Sequence, residues 1–254
     1  MARVHNPEPD PSVLRGALLP ASLVLVFCLI YGFNIPFGLA AAASIPFIAL
    51  FVFAPAWARA SLARFDRDAL RLLSIGQQDR MGDRLRRALG ARLFAAPARM
   101  WERRGLVAAE NGRPREARLA YSRAMKGYEE AAHVPVSLLL GYAHACYALG
   151  LDAEAVKHYR RVLADSGTMP RVERNLAHVL IRKGEGVRDA LDLLDQAARS
   201  ASDEDARGEV TLIRAFGEAR LGNRATAKQL LEDAVAVRTE AAEALREEVR
   251  EHLT

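Results

Sequence analysis

The chain has 254 residues, with 36 basic and 31 acidic side chains and a net charge of +5. This length allows one or two domains with a hydrophobic core of useful size. The two cysteines, Cys28 and Cys146, lie in very different sequence environments, which excludes a small scaffold held together by disulfides. The basic excess is local, because residues 59–104 carry a net charge of +7 whereas residues 105–254 carry −2.

The first notable segment is an uncharged run over residues 16–58, which follows an N-terminal tail at residues 1–15. Its 43 residues include no Asp, Glu, Lys, Arg or His. A membrane-spanning helix needs about 20 apolar residues, so this length favours two helices and a tight turn. The turn is predicted at GFNIPFG, residues 32–38, where Asn34 and Gly32 suit a turn and Pro36 suits a helix start.

Two other interpretations of this run fit less well. A cleaved signal peptide has a basic start and one short apolar core, but here Glu8 and Asp10 precede a much longer run. A lipoprotein anchor at Cys28 requires a small residue before the cysteine, and Phe27 stands there.

A basic region at residues 59–97 follows the uncharged run and is predicted to form a juxtamembrane helical hairpin or, alternatively, a degenerate copy of the repeat described below, whose pattern Ala69, Leu72, Gly76, Leu85 and Ala88 loosely follow. Arginine flanks remain on the cytoplasmic side of a membrane helix. We therefore expect a multi-pass protein of a bacterial inner membrane with both termini cytoplasmic. The arginines predicted to contact anionic lipid are Arg59, Arg64, Arg67 and Arg71.

A repeated pattern occupies the chain from about residue 98 onward. A glycine is followed by alanine five or six residues later, then by Tyr or Leu, and then by Ala or Val. The glycines are spaced by 38, 34 and 38 residues, and they are Gly112, Gly150, Gly184 and Gly222. This pattern resembles the tetratricopeptide repeat (TPR), whose period is 34 residues.

The resemblance implies an all-α solenoid of about four helix–turn–helix repeats over residues 98–254, ending in a polar capping helix. Glycine ends the first helix of each repeat, and small residues allow the two helices to cross closely. The small positions of the first helices are Gly105, Ala143, Ala177 and Ala215, and those of the second helices are Ala117, Ala155, Ala190 and Ala227. Repeats three and four depart from the pattern, since Glu173 and Thr211 replace a large residue.

Sequence motifs for catalysis or metal binding are not apparent. The six histidines are scattered, and no zinc-type spacing, phosphate-binding loop or nucleophile motif occurs. The basic region has too few neighbouring aromatic residues for a nucleic-acid stacking surface. We therefore expect no enzymatic activity, no catalytic residues, no metal, no cofactor and no nucleic-acid partner.

The resemblance also implies that the first helices form a groove that binds a protein or peptide. In repeat three, four basic residues share one helical stripe, which suits an acidic partner unless it is an ordinary solvated face. The predicted groove residues are Leu140, His144, Tyr147, Arg171, Arg174, Asn175, His178, Arg182, Leu212, Phe216 and Arg220. They lack the Lys–Asn pattern with which some relatives bind C-terminal carboxylates.

Two functional hypotheses follow. The first is a membrane-anchored adaptor that presents the solenoid to a cytoplasmic protein partner. The alternative is a structural accessory subunit of a larger inner-membrane complex, whose membrane helices pack against other subunits through small residues such as AAAAS at 40–44.

Overall fold

The computed structural model describes residues 20–21, 24, 27–32, 36–129, 134–200, 204–234 and 239–253. Over these residues the secondary structure is helical, with turns and no strand. The chain divides into two compact units, residues 1–133 and residues 134–254. An all-α repeat fold, as the sequence predicts, is confirmed. The predicted domain boundaries stay predictions, and the boundary at residue 98 falls inside the first unit.

In its described part, unit 1 has helical residues at 20–21, 24 and 27, followed by a short π-helix at Cys28–Gly32. Its α-helices, separated in one place by a 3₁₀ turn at Gln78–Arg80, are α1 (Phe37–Ser74), α2 (Met81–Arg87), α3 (Leu89–Phe94), α4 (Pro97–Glu110) and α5 (Pro114–Glu129). The pair α4 and α5 is the first predicted repeat, and the two helices pack against each other.

The C-terminal half of α1 is an amphipathic helix. Its buried residues recur every three or four positions, which places them on one face. They are Ala54, Ala58, Leu62, Phe65, Ala69 and Leu72. This face packs on α2 and α3, where Met81, Leu85 and Phe94 complete a shared hydrophobic core. The indole of Trp57 lies against Phe94, with ring centroids 5.7 Å apart.

The structure corrects the prediction of a membrane hairpin. Part of the first predicted membrane helix lies outside the described residues, as do residues 33–35 of the turn predicted at residues 32–38. The second continues past Ala58 without a break to Ser74. None of the helices in the described part of the chain is long and apolar enough to cross a membrane. The predicted multi-pass inner-membrane localisation is therefore wrong. Ala54 and Ala58, which belong to the uncharged run, lie in the core of unit 1.

Unit 2 consists, in its described part, of three helix pairs and a final helix. They are α6 (Val136–Ala148), α7 (Asp152–Ser166), α8 (Pro170–Lys183), α9 (Val187–Ser200), α10 (Glu204–Arg220), α11 (Arg224–Asp233) and α12 (Glu240–Leu253). Each helix packs on the next along the chain from α6 to α12, and α12 also packs on α10. The predicted capping helix is thus α12, which continues the series of first helices.

The glycines and alanines of the predicted repeats occupy the positions that helix packing requires. Gly112, Gly150, Gly184 and Gly222 all have φ between 65° and 85°, in the left-handed region that favours glycine. The predicted crossing residues Ala143, Ala177 and Ala215, and their partners on the second helices, are fully buried. A methyl group on Gly105 would lie 2.5 Å from the ring of Tyr121, so this crossing admits only glycine.

The departure from the repeat pattern in repeat three places the carboxyl of Glu173 in a buried position. Its side chain replaces a large apolar residue and is only 3% exposed. Its Oε2 atom is buried and has no hydrogen-bond partner among the described residues. Burial raises the pKa of this carboxyl, because water no longer stabilises the charged form.

Candidate functional site

The predicted groove residues lie on the first helices of unit 2, namely α6, α8 and α10. We call Arg171, Arg174, His178 and Arg182 the α8 stripe, since their spacings of three, four and four residues place them on one face of α8. The structure brings this stripe against α6, α10 and α12 through the contacts described below.

Two arginines of the α8 stripe already have carboxylate partners within the chain. Arg174 Nη1 lies 2.5 Å from Glu209 Oε2 of α10. Arg182 donates to both carboxylate oxygens of Asp152, at the start of α7, with an Nε–Oδ2 distance of 3.0 Å. Its guanidinium also lies 5.4 Å from the ring centroid of Tyr147. Most of the charge that was predicted to attract an acidic partner is therefore balanced internally.

His178 joins three helices through a buried hydrogen-bond network. Its side chain is 3% exposed. Its Nδ1 atom lies 2.6 Å from the hydroxyl of Tyr147 on α6, and its Nε2 atom lies 2.7 Å from Glu248 Oε2 on α12. Burial alone would raise the pKa of Glu248, but the hydrogen bond and charge of His178 and the charge of Arg182 outweigh it, so the pKa is lowered.

Aromatic contacts follow the same path across the first helices. The rings of Tyr147, His178, Phe216 and His252 meet edge to face in that order, with centroid distances of 5.6, 5.8 and 5.0 Å. These residues come from α6, α8, α10 and α12 respectively. Because Phe216 and His178 are buried, this ladder is part of the packing of the unit.

The other end of the predicted groove is more open. Arg171 is exposed, and no hydrogen bond or ion pair to it occurs among the described residues. Beside it on α6, His144 has a buried Nε2 atom without a hydrogen-bond partner in the described structure. Burial, together with the charges of Arg171 and Arg174, lowers the pKa of His144 to about 4. His144 is therefore neutral near pH 7, in an environment that disfavours a further positive charge.

The remaining predicted groove residues occupy different environments. Asn175 is buried and donates from Nδ2 to the hydroxyl of Tyr159 over 3.4 Å. Leu212 is fully buried in the core, whereas Leu140 is half-buried. Arg220 is exposed and lies within 3.4 Å of His252 Nε2. The residues therefore form a contiguous network only in part, and their role in binding a partner stays a prediction.

The four arginines predicted to contact lipid are exposed on α1. Arg59 donates to the carbonyl of Pro55 in the same helix, at 3.3 Å. The side chains of Arg64, Arg67 and Arg71 make no hydrogen bond or ion pair with the described residues. Whether these side chains contact lipid stays a prediction.

Sequence reasoning missed the internal partners of the α8 stripe. Glu209, Asp152 and Glu248 come from α10, α7 and α12, and the last is 70 residues from His178. No local motif connects such positions. The final helix, which the sequence predicts as a polar cap, supplies Glu248 to this network.

A metal site is not apparent in the described part of the chain, where no three His, Cys, Asp or Glu side chains are grouped suitably for a metal ion. Cys146 is buried and Cys28 is exposed, and neither forms a disulfide.

Comparison with known proteins identifies the fold. No protein-family model and no curated protein sequence matches the chain. Among solved structures, YrrB, a TPR protein with an unusual peptide-binding site, aligns with 74% of this chain and 90% of its own, at 16% identity and a TM-score of 0.53.

Two further structures give the same result. A tetratricopeptide repeat protein from Parabacteroides merdae aligns with 76% of this chain and 73% of its own, at 15% identity and a TM-score of 0.54. PilW, a type IV pilus biogenesis factor, aligns with 89% of this chain and 98% of its own, at 16% identity and a TM-score of 0.54. At these identities the likeness concerns the fold alone, and the TPR-type helical repeat fold predicted from the sequence is confirmed.

Proposed function

We propose that unit 2 is a protein-interaction module that binds an acidic segment of a partner through Arg171, Arg174 and His144. TPR folds of known structure include one described as having a peptide-binding site, which supports a binding role. The acidic preference is inferred from this chain's own residues. The observation that carries it is the exposed Arg171 beside the unpartnered Nε2 atom of His144.

The positive charges of Arg171 and Arg174 favour a carboxylate ligand, but only Arg171 is available to pair with it directly. Arg171 is available for a bidentate pair with a carboxylate, which its planar guanidinium can form. Arg174 is already paired with Glu209, so it adds a donor only if the partner displaces or shares that carboxylate. We therefore place the centre of the site at Arg171, because the other three residues of the α8 stripe are paired with carboxylates of the chain.

We infer that the module acts by binding and not by catalysis. The network of Tyr147, His178 and Glu248 is the arrangement in unit 2 closest to an activated nucleophile, because a carboxylate orients a histidine that contacts a hydroxyl. However, burial raises the pKa of Tyr147 to about 12, so its hydroxyl stays protonated near pH 7. The network is better suited to holding α6, α8 and α12 together.

A selection from a random peptide library tests the proposal. We expect peptides enriched on the full chain to carry Asp or Glu, and we expect Arg171→Glu to lose them. The matched control is Arg199→Glu, which reverses an exposed charge on α9 outside the groove. If both variants retain the same peptides as the unmodified chain, the proposed site is wrong.

Titration of His144 tests whether the peptide binds next to this residue. A bound carboxylate would offset the charges of Arg171 and Arg174 and so raise the pKa of His144 above its value of about 4. The imidazole resonances of His144 report this pKa by NMR, with and without an enriched acidic peptide. An unchanged pKa in the presence of saturating peptide would place the peptide elsewhere.

A further inference from the structure

A cleft of about 370 Å³ lies on the opposite side of α8 from the α8 stripe. Its floor is formed by Leu176 and Leu180, which follow each other by one turn on α8. The walls come from α7 and α9, with Leu193 contributing a further apolar side chain. We call this feature the outer cleft.

The rim of the outer cleft has unbalanced negative charge. Asp189 and Asp192 are exposed and one helical turn apart on α9, and no hydrogen bond or ion pair engages either one among the described residues. Glu185 also lines the cleft, but it is paired with Lys183 at 2.8 Å. Arg160 is the one basic side chain in the lining.

An apolar floor below carboxylates is the environment that a long basic side chain requires. Leu176 and Leu180 are themselves buried, so the methylene groups of an arginine can lie along the partly exposed Leu193 while its guanidinium reaches a carboxylate at the rim. Arginine suits this arrangement better than lysine, because its planar group pairs with a carboxylate through two hydrogen bonds. The cleft therefore selects a segment that carries arginine.

The same chain presents such a segment. Arg64, Arg67 and Arg71 recur at three and four residues on the exposed face of α1, and we call them the basic stripe. None of their guanidinium groups has a hydrogen-bond or ion-pair partner among the described residues. Arg64 and Arg67 have the same spacing as Asp189 and Asp192, so each pair spans about 4.5 Å along its helix axis. Residues 59–104, which contain the basic stripe, carry a net charge of +7.

We propose that the outer cleft of one copy binds the basic stripe of a second copy. Arg64 and Arg67 of one molecule pair with Asp189 and Asp192 of the other, and the arginine stems lie along Leu193. The two surfaces differ, so the contact is head-to-tail, and it propagates into a ring or an open chain of copies. This proposal is independent of the groove at Arg171.

Sedimentation of the full chain over a range of protein concentrations tests the proposal. We expect the average mass to rise with concentration at low salt and to fall towards the monomer at about 0.5 M salt, where exposed charges are strongly screened. A chain that stays monomeric at every concentration in low salt would overturn the proposal.

Charge reversal identifies the surfaces involved. We expect Asp189→Arg with Asp192→Arg, and separately Arg64→Asp with Arg67→Asp, to weaken self-association at least about tenfold, since each change replaces attraction by repulsion. Mixing the two double variants should restore association, because each then supplies the surface complementary to the other. The matched control is Glu232→Arg with Asp233→Arg, which makes the same change in net charge on exposed residues of α11.

The alternatives give different results in these experiments. If the control weakens association as much as the cleft variant, only net charge matters and the outer cleft is not the site. If reversal of Arg64 and Arg67 abolishes binding to anionic vesicles but leaves self-association unchanged, the basic stripe serves lipid and the proposal is wrong. Circular dichroism of each variant confirms that a loss of association does not come from unfolding.

Discussion

The two sides of α8 differ in how their charges are satisfied. On the groove side, Arg174, His178 and Arg182 each contact a carboxylate of their own chain. On the side of the outer cleft, Asp189 and Asp192 lie exposed above an apolar floor without such partners. The groove side, which the sequence predicts to be a binding surface, is largely occupied by contacts within the chain. The side of the outer cleft, for which the sequence predicts no role, has charges available to a partner.

This contrast has a physical cause. A charged side chain that is partly buried loses hydration, and it is stable only if an opposite charge or hydrogen bonds replace the water. An exposed carboxylate has no such requirement and stays solvated at little cost. Stability measurements should therefore separate the two sides of α8, with large effects on the groove side and small effects at the cleft.

The largest effect is expected for His178→Ala. This change removes a buried ring and both hydrogen bonds, leaving Tyr147 and Glu248 without their partner. We expect the free energy of unfolding to fall by about 2–4 kcal/mol. Urea denaturation followed by circular dichroism measures it, with Arg171→Ala as the control on the same stripe. A loss below about 0.5 kcal/mol would mean that the network contributes no more than an ordinary surface contact.

The next largest effect on the free energy of unfolding is expected from lowering the pH, because of the shifted pKa of His144. Its folded pKa of about 4 is below the value of 6.5 for a solvated histidine, so the unfolded chain binds the proton more readily between these values. The sign is therefore a loss of stability as pH falls from 6.5 to about 4, amounting to at most about 3 kcal/mol.

Replacement of His144 by Gln should remove that part of the pH dependence while leaving the effect of Glu248. The pKa of Glu248 is lowered by folding, so its contribution is present above its usual value of 4.5 and is lost as pH falls further. The loss of stability from His144 thus begins near pH 6.5, whereas the loss from Glu248 begins near pH 4.5. Equal slopes for the unmodified chain and His144→Gln between pH 4 and 6.5 would contradict the assignment to His144.

A smaller effect is expected for Arg182→Ala. The change leaves Asp152 unpaired and removes a cation from the ring of Tyr147. Since both side chains of the pair are less than one third exposed, we expect a loss of about 1–2 kcal/mol. A double-mutant cycle with Asp152→Ala isolates the coupling energy of the pair. Additive single effects would show that the pair does not stabilise the unit.

The smallest effect is expected at the outer cleft. Asp189→Asn and Asp192→Asn should each change the free energy of unfolding by less than about 0.5 kcal/mol, because neither carboxylate has a partner in the described structure. Measurements belong at low protein concentration, where association between copies does not contribute. A loss as large as that of Arg182→Ala would show that these carboxylates have a structural role, and the contrast between the two sides of α8 would fail.

The sequence by itself determined the repeat. Gly112, Gly150, Gly184 and Gly222 stand where a backbone with positive φ follows a first helix, and alanines stand where two helices cross. These constraints are local, since they depend on the conformation of one residue or on the approach of helices adjacent in the chain. For that reason a pattern of residue types was sufficient to predict the fold and its buried positions.

Only the tertiary structure determined how the charged side chains are paired and what surrounds the long apolar run. The partner of His178 lies 70 residues further along, and its approach depends on how α8, α10 and α12 stack. Likewise, Ala54 and Ala58 are equally apolar in a membrane and in a protein core, and only the position of α2 and α3 assigns them to the core of unit 1. Composition measures how apolar or charged a segment is, whereas packing alone determines what surrounds it.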